Sequence, residues 1–217
     1  MNELPILILL AGGKSARMGS PKGLLDYNGI PWILEQITRY NHIKNPRIYI
    51  GLGYDHQKYF DVIPWFKNAI DNPYKYNGVE VRVIINDMPE LGAFSTLQKV
   101  LEKTEEHTSV MVQPIDVPLP NEQSLVAIIK ENNVIVIPKC NNKNGHPVKL
   151  KSKFWSALLS IDLFVKDARL DTQIKIINTS SVTYIKVLDN SVYQNINTKE
   201  KWNNYLNIIK HSNNFKP

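Results

Sequence analysis

Ile6-Leu7-Ile8-Leu9-Leu10 is an unbroken apolar run that ends at Gly12-Gly13. A strand apolar on both faces must be covered on both faces, the condition of a central strand in a parallel sheet flanked by helices. The chain beyond repeats the theme. Arg47 to Gly53, Val79 to Asn86, Ser109 to Pro114 and Asn133 to Pro138 read as further strands. Between them, Trp32, Ile33, Ile37 and Tyr40, then Phe94, Leu97 and Leu101, then Leu125, Ile128 and Ile129 recur at helical spacing. Strands separated by helices of this length predict parallel pairing through right-handed crossovers.

Past Pro138 the pattern loosens into a turn at Asn141–Gly145, a short helix at Phe154–Leu159, a strand at Val182–Leu188 and a closing helix at Trp202–Ile209. Residues 211–217 are polar and are expected to fray. There is no internal repeat or Gly/Ser linker, and 217 residues suit one domain. The expectation is a single three-layer α/β domain spanning 1–217, with a mostly parallel, Rossmann-like sheet.

The net charge of +6 invites a nucleic-acid reading, but 21 of the 26 basic residues are lysine, and asparagine (23) and isoleucine (25) are equally inflated. That bias is a property of the whole composition, so the charge by itself specifies no partner. No nucleic-acid motif accompanies it, and none is expected as a partner. The single cysteine, Cys140, excludes an intrachain disulfide and suits a reducing cytoplasm. The apolar N-terminal run lacks a basic lead and is too short for a signal peptide, and no stretch approaches the ~18 apolar residues of a membrane helix. A cytoplasmic protein without a membrane partner is therefore expected. The sequence leaves its oligomeric state open.

The most informative stretch is Leu10-Ala11-Gly12-Gly13-Lys14-Ser15-Ala16-Arg17-Met18-Gly19-Ser20-Pro21-Lys22. Ligands of open parallel sheets bind at the carboxyl ends of the strands. Gly12 and Gly13 let backbone N–H groups approach a polyphosphate, and Lys14, Arg17 and Lys22 place three cations within nine residues. The stretch is neither a P-loop nor a GxGxxG turn.

LAGGKSARMGSPK resembles the LAGGxSxRMGxxK signature of the molybdenum cofactor nucleotidyltransferases, the guanylyl- and cytidylyltransferases that act on molybdopterin. The resemblance continues in order along the chain. Gly92-Ala93-Phe94-Ser95-Thr96-Leu97 is similar to the G-x-x-[ST]-[ST]-L loop of the cytidylyltransferase branch, and Asp116-Val117-Pro118 to the family's D-x-P at a strand end. Gly145-His146-Pro147-Val148 is similar to its GHPV segment, and Asn195-Ile196-Asn197-Thr198 to its N-x-NTPED segment. Two departures stand out. The middle loop lacks the GGPLAG-like run of the guanylyltransferases, which favours CTP over GTP, and Lys199-Glu200-Lys201 replaces Pro-Glu-Asp.

The resemblance implies a nucleotidyltransferase fold that moves NMP from an NTP to a small phosphorylated acceptor such as molybdopterin and releases pyrophosphate, with Mg²⁺ as cofactor. Arg17 and Lys22 would stabilise the triphosphate. Leu10, Ala11, Gly12, Gly13 and Lys14, with Gly92, Ser95 and Thr96, would complete the nucleotide site. Asp116, at the end of an apolar strand, is the expected metal ligand and catalytic carboxylate. Asn195 and Asn197, two apart on an extended segment, offer a second hard oxygen to the ion, with N-capping of the last helix the other role open to Asn197. His146 is expected in an exposed turn on the acceptor side. The aromatic cluster at 54–76 reads as helix packing rather than a base-stacking platform, and Pro114 is unusual inside a strand. A sugar- or polyol-phosphate nucleotidyltransferase and a non-catalytic NTP-binding protein are the alternatives.

Overall fold

The computed structural model describes residues 4–213, the last three by backbone alone. The chain runs through β1 (Ile6–Ala11), a small hairpin of β2 (Asp26–Tyr27) and β3 (Ile30–Pro31), α1 (Trp32–Thr38), β4 (Arg47–Leu52), α2 (His56–Val62), α3 (Trp65–Asp71), β5 (Tyr74–Tyr76), β6 (Val79–Ile85) and α4 (Ala93–Leu101). It continues with β7 (Val110–Pro114), α5 (Glu122–Lys130), β8 (Ile135–Cys140), β9 (Lys143–Asn144), β10 (Val148–Leu150), α6 (Ser152–Leu158), α7 (Leu170–Lys175), β11 (Val182–Lys186) and α8 (Lys199–Asn213).

The apolar run at the N-terminus does what its composition dictates. β1 is the inner strand of a nine-stranded sheet in the order β11-β8-β10-β7-β1-β4-β6-β5, with β9 paired to β8. It pairs in parallel with β4 (Leu7 opposite Ile48, Leu9 opposite Ile50) and with β7 (Ile8 opposite Val112). Ile6 through Leu9 are fully buried. Alternate side chains enter two separate cores. Leu7, Leu9 and Ala11 join Trp32, Ile37, Phe66 and Leu125 on one face, and Ile6 and Ile8 join Phe94, Leu97 and Trp155 on the other. This is the three-layer α/β arrangement that the sequence predicts.

The structure adds what short elements hid. β10, three residues long, inserts antiparallel between β7 and β8. The expected turn at Asn141–Gly145 is a tight hairpin in which Asn141 and Asn142 both adopt left-handed φ (48° and 61°), the requirement of a type I′ turn. Pro114 stands at the last position of β7, and the following Ile115 supplies the N–H that the Leu10 carbonyl accepts (3.0 Å). The last helix reaches Asn213, so the expected frayed segment begins as helix, and residues 214–217 lie outside the described residues. Among the described residues no helix is long and apolar enough to cross a membrane.

The 54–76 segment forms α2, α3 and β5. Tyr59, Phe60 and Phe66 enter the core beneath the sheet, while Trp65 stacks on Tyr74 and Tyr76 at 4.6 and 5.2 Å between centroids. Packing accounts for these residues, and it reaches the glycine loop: the buried Tyr59 hydroxyl accepts the Gly23 N–H at 3.3 Å. At the far end, Arg39 gathers Glu35 (2.7 Å), Tyr205 (2.9 Å) and Tyr27 (3.2 Å) and lies 5.1 Å from the Trp32 ring centroid. That cage clamps α8 onto α1 and so holds the segment before α8 in place.

An unpaired buried donor costs about 1–3 kcal/mol. Tyr59→Phe strands the Gly23 N–H and is expected to lower unfolding free energy in urea by about 1–3 kcal/mol. A change indistinguishable from zero would remove the α2 brace from this account.

Candidate active site

At the carboxyl end of β1 the chain turns through Gly12 and Gly13 along a cavity of about 420 Å³. Gly12 is required by close approach, since a Cβ there would lie 2.7 Å from the Thr96 hydroxyl oxygen and 3.3 Å from the Gly53 nitrogen. The loop then folds back through Ser15, in the left-handed region (φ 51°), and the Ser15 hydroxyl accepts the Lys22 N–H at 3.2 Å. Lys22 opens a single 3-10 turn, Lys22–Leu24, and its ammonium donates to the Asp116 carboxylate at 2.7 Å. Both side chains are about one-fifth exposed, enough to reach solvent and a ligand.

Besides the Lys22 contact of its side chain, Asp116 is held through the backbone of the turn that carries it. The Trp32 indole N–H donates to the Ile115 carbonyl (2.8 Å), and the Gln113 amide donates to the Val117 carbonyl (2.6 Å). The Ile115 N–H donates back to the Leu10 carbonyl (3.0 Å). The last contact matters most. The Ile196 N–H donates to the Asp116 main-chain carbonyl at 2.7 Å, so the 195–197 segment runs alongside the turn that carries Asp116. Ile196 enters the core, leaving Asn195 exposed and Asn197 half-buried on the other side of the strand-like segment. The N-cap of α8 is Thr198, whose hydroxyl accepts the Lys201 N–H at 3.3 Å, so Asn197 is not needed there.

The structure therefore brings together Leu10, Ala11, Gly12, Gly13, Lys14, Lys22, Gly92, Thr96 and Asp116 around one cavity. Four expected members are not among its lining residues, Asn195 and Asn197 of the segment just described being two of them. Arg17 is exposed and does not line it. Ser95 is 2 % exposed and spends its hydroxyl on the Met88 and Gly92 carbonyls at 3.0 and 2.8 Å. Asn86, which no sequence signal singled out, bridges this region: its buried amide donates to Ser95 (2.8 Å) and to Thr96 (3.0 Å). Thr96 is also 2 % exposed, and its hydroxyl, which accepts from Asn86, lies against Gly12 at the cavity wall. No side chain caps α4, so its first N–H groups are available where it meets the cavity.

A second cavity of about 770 Å³ adjoins the first, sharing Leu10, Gly92, Ala93 and Pro114 as wall. It is lined by apolar Phe94, Leu97, Val112 and Ile137 and by Lys166, Arg169, Lys175 and Asp171, the last paired with Arg169 (3.0 Å) and Lys175 (3.5 Å). His146 lines it, half-buried rather than in the exposed turn expected, with Nδ1 3.4 Å from the Val112 carbonyl. Burial holds this imidazole below the ordinary histidine value of 6.5, against the opposing pull of the Val112 carbonyl and of Asp116. The ring is neutral at physiological pH.

Residues 7–175 match the family described as the MobA-like NTP transferase domain. The chain belongs to that family. This NTP transferase is accordingly a nucleotidyltransferase, as the sequence motifs implied. No curated protein sequence matches it. Its fold is shared with a nucleotidyl transferase from Methanothermobacter (TM-score 0.71, 13% identity, 97% of this chain and 100% of that one). It is also similar to Rv0371c from Mycobacterium tuberculosis (0.67, 16%, 95% and 99%), which has a further structure in complex with manganese (0.63, 15%, 94% and 99%). The molybdopterin-guanine dinucleotide biosynthesis protein A from Archaeoglobus fulgidus is a similar neighbour (0.66, 15%, 95% and 99%).

The depressed His146 value has a consequence for stability. Above about pH 6.5 the residue is neutral in both folded and unfolded chains and contributes nothing. Below it the unfolded chain takes up a proton that the folded chain resists, so stability falls with falling pH. His146→Gln is expected to lose less melting temperature than the wild type between about pH 7.5 and pH 5.5. An equal loss in both proteins would contradict the buried neutral ring.

Proposed function

We propose that this NTP transferase moves CMP from CTP to a phosphomonoester acceptor of the molybdopterin class, releasing pyrophosphate, in a Mg²⁺-dependent reaction. The observation that carries the reading is the Lys22–Asp116 pair in the wall of the smaller cavity. The smaller cavity, with Gly12, Gly13, Lys14 and Lys22, has the chemistry of a nucleoside triphosphate site. The larger one is the place for the acceptor. An acceptor phosphate oxygen attacks the α-phosphorus, a new phosphoanhydride bond forms, and the bond from the α-phosphorus to the bridging oxygen breaks as pyrophosphate departs.

Charge accumulates on the α-phosphate and on the leaving group, so positioning and electrostatics are the contributions asked of the protein. Lys22 and Lys14 neutralise the triphosphate. Arg17, exposed on the same loop, is free to swing to the outer phosphates, as an arginine fork suits phosphate oxygens. Backbone N–H groups at Gly12, Gly13 and the start of α4, with the Thr96 hydroxyl, hold the nucleoside and α-phosphate. The residues present fit a divalent ion: the carboxylate of Asp116, which already faces the Lys22 ammonium, and the amide oxygens of Asn195 and Asn197 are hard donors. Such an ion, when bound, would neutralise charge on the phosphates. Manganese in the mycobacterial neighbour supports a divalent metal.

Two features favour this acceptor over a sugar phosphate. A sugar needs hydrogen-bonding groups around its hydroxyls, whereas the apolar lining of the larger cavity suits a flat ring system. Lys166, which lines that cavity without the Asp171 pairing of Arg169 and Lys175, suits the phosphate, and the neutral His146 can accept a hydrogen bond from an N–H or O–H of the ring. The absence of the guanylyltransferase-type loop favours CTP. Cys140 is a free, buried thiol, in keeping with a cytoplasmic setting.

Pyrophosphate release with each of the four NTPs, against molybdopterin and a set of sugar phosphates, tests the reading. Turnover is expected only with molybdopterin and fastest with CTP. Lys22→Ala and Asp116→Ala are each expected to lose roughly 10²–10³ in rate with the fold intact. Retention of more than about a tenth of activity in either variant would overturn the roles given to this pair.

A further inference from the structure

Tyr54 follows β4 and stands apart from the other aromatic residues of its segment. Tyr59, Phe60 and Phe66 are buried in the core, and Trp65, Tyr74 and Tyr76 stack on one another. Tyr54 has no aromatic partner among the described residues. It is half-buried and lines the smaller cavity, the one aromatic side chain among the described residues to do so. Its N–H donates to the Gly12 carbonyl at 3.1 Å, which fixes the residue against the glycine loop. Lys14 of that loop lies with its ammonium 5.9 Å from the ring centroid. The ring and the phosphate-loop cations thus belong to one wall of one cavity, with Thr96, Pro89 and Gly92 also lining it.

Resting on the nucleotide-site reading above, we propose that the Tyr54 ring is the surface on which the nucleobase of the bound NTP packs. A half-exposed ring beside a triphosphate site meets the needs of a base, whose flat face is apolar while its edges seek hydrogen bonds. Stacking on an aromatic ring supplies affinity without distinguishing bases, since every base has a π-face. Tyr54 therefore sets the affinity for the nucleoside part, and choice among bases falls to the polar groups at the base edges. The phenolic hydroxyl is not needed for this role. Apart from Tyr54, the aromatic residues of 54–76 pack as the sequence suggested.

The test compares a ligand with a base against one without. Dissociation constants for CTP, GTP and inorganic tripolyphosphate are measured calorimetrically with Mg²⁺ for the full chain and for Tyr54→Ala and Tyr54→Phe. Tyr54→Ala is expected to weaken CTP and GTP alike, by roughly tenfold or more, and to leave tripolyphosphate within about twofold. Tyr54→Phe is expected to bind CTP within about threefold of the wild type. Equal weakening of CTP and tripolyphosphate by Tyr54→Ala would make Tyr54 a support for the loop and overturn the inference, as would no weakening of either. A wild-type protein that binds tripolyphosphate as tightly as CTP would also overturn it while leaving the phosphate loop in place. A wild-type protein that binds neither would overturn the nucleotide site itself.

Discussion

The ion pair between Lys22 and Asp116 joins two segments 94 residues apart in sequence, and most of the architecture can be understood as the means of placing it. Lys22 arrives on the loop that leaves the central strand, and Asp116 on the turn that leaves the neighbouring parallel strand. Parallel pairing puts both carboxyl ends on the same edge of the sheet. The backbone hydrogen bond from Ile196 then brings a third segment to the same point. A half-buried pair of this kind is worth little as a stabiliser once desolvation is counted. Its value is that a ligand can replace it: a cation can take the carboxylate and a phosphate can take the ammonium, each exchanging one charged partner for another.

The supports around the pair explain why residues far from any ligand are large and buried. Trp32 has two jobs, filling the core beneath the sheet and donating its indole N–H to the turn that carries Asp116. Its ring also meets Trp202 and Tyr205 edge-on, so α8 and the Asp116 turn share one anchor. Arg39, one of only five arginines in a lysine-rich chain, completes the anchor with a planar fork that a lysine could not reproduce. The charge excess of the sequence is accordingly a poor guide to the site. The cations that line the smaller cavity, Lys14 and Lys22, are the ones the fold brings to the end of β1.

Much of the frame was legible in the sequence because long apolar runs and glycine turns carry strong local signals. β1, β4, β6 and β7 needed only their own composition to be recognised, and the glycine loop and Asp116 follow from where strands end. What escaped had no such signal. A three-residue strand such as Val148–Leu150 gains its partners from the sheet on both sides and shows no period of its own. His146 looked exposed because it lies between glycine and proline, yet the strand that follows draws it into a cavity wall. Ser95 and Thr96 are adjacent and chemically alike, and only the helix geometry turns one inward to the Met88 and Gly92 carbonyls and the other towards the cavity. Asn86 is one of 23 asparagines, and nothing but its burial marks it.

The central claim is that Lys22 and Asp116 exchange each other for the triphosphate and a divalent ion. A crystal structure with Mn²⁺ and CTP tests it directly, through the anomalous signal of the metal. The account predicts the metal on the Asp116 carboxylate with an amide oxygen of Asn195 or Asn197 beside it, and the Lys22 ammonium moved onto a phosphate oxygen. Metal and nucleotide bound elsewhere, with the 2.7 Å pair still intact, would contradict it.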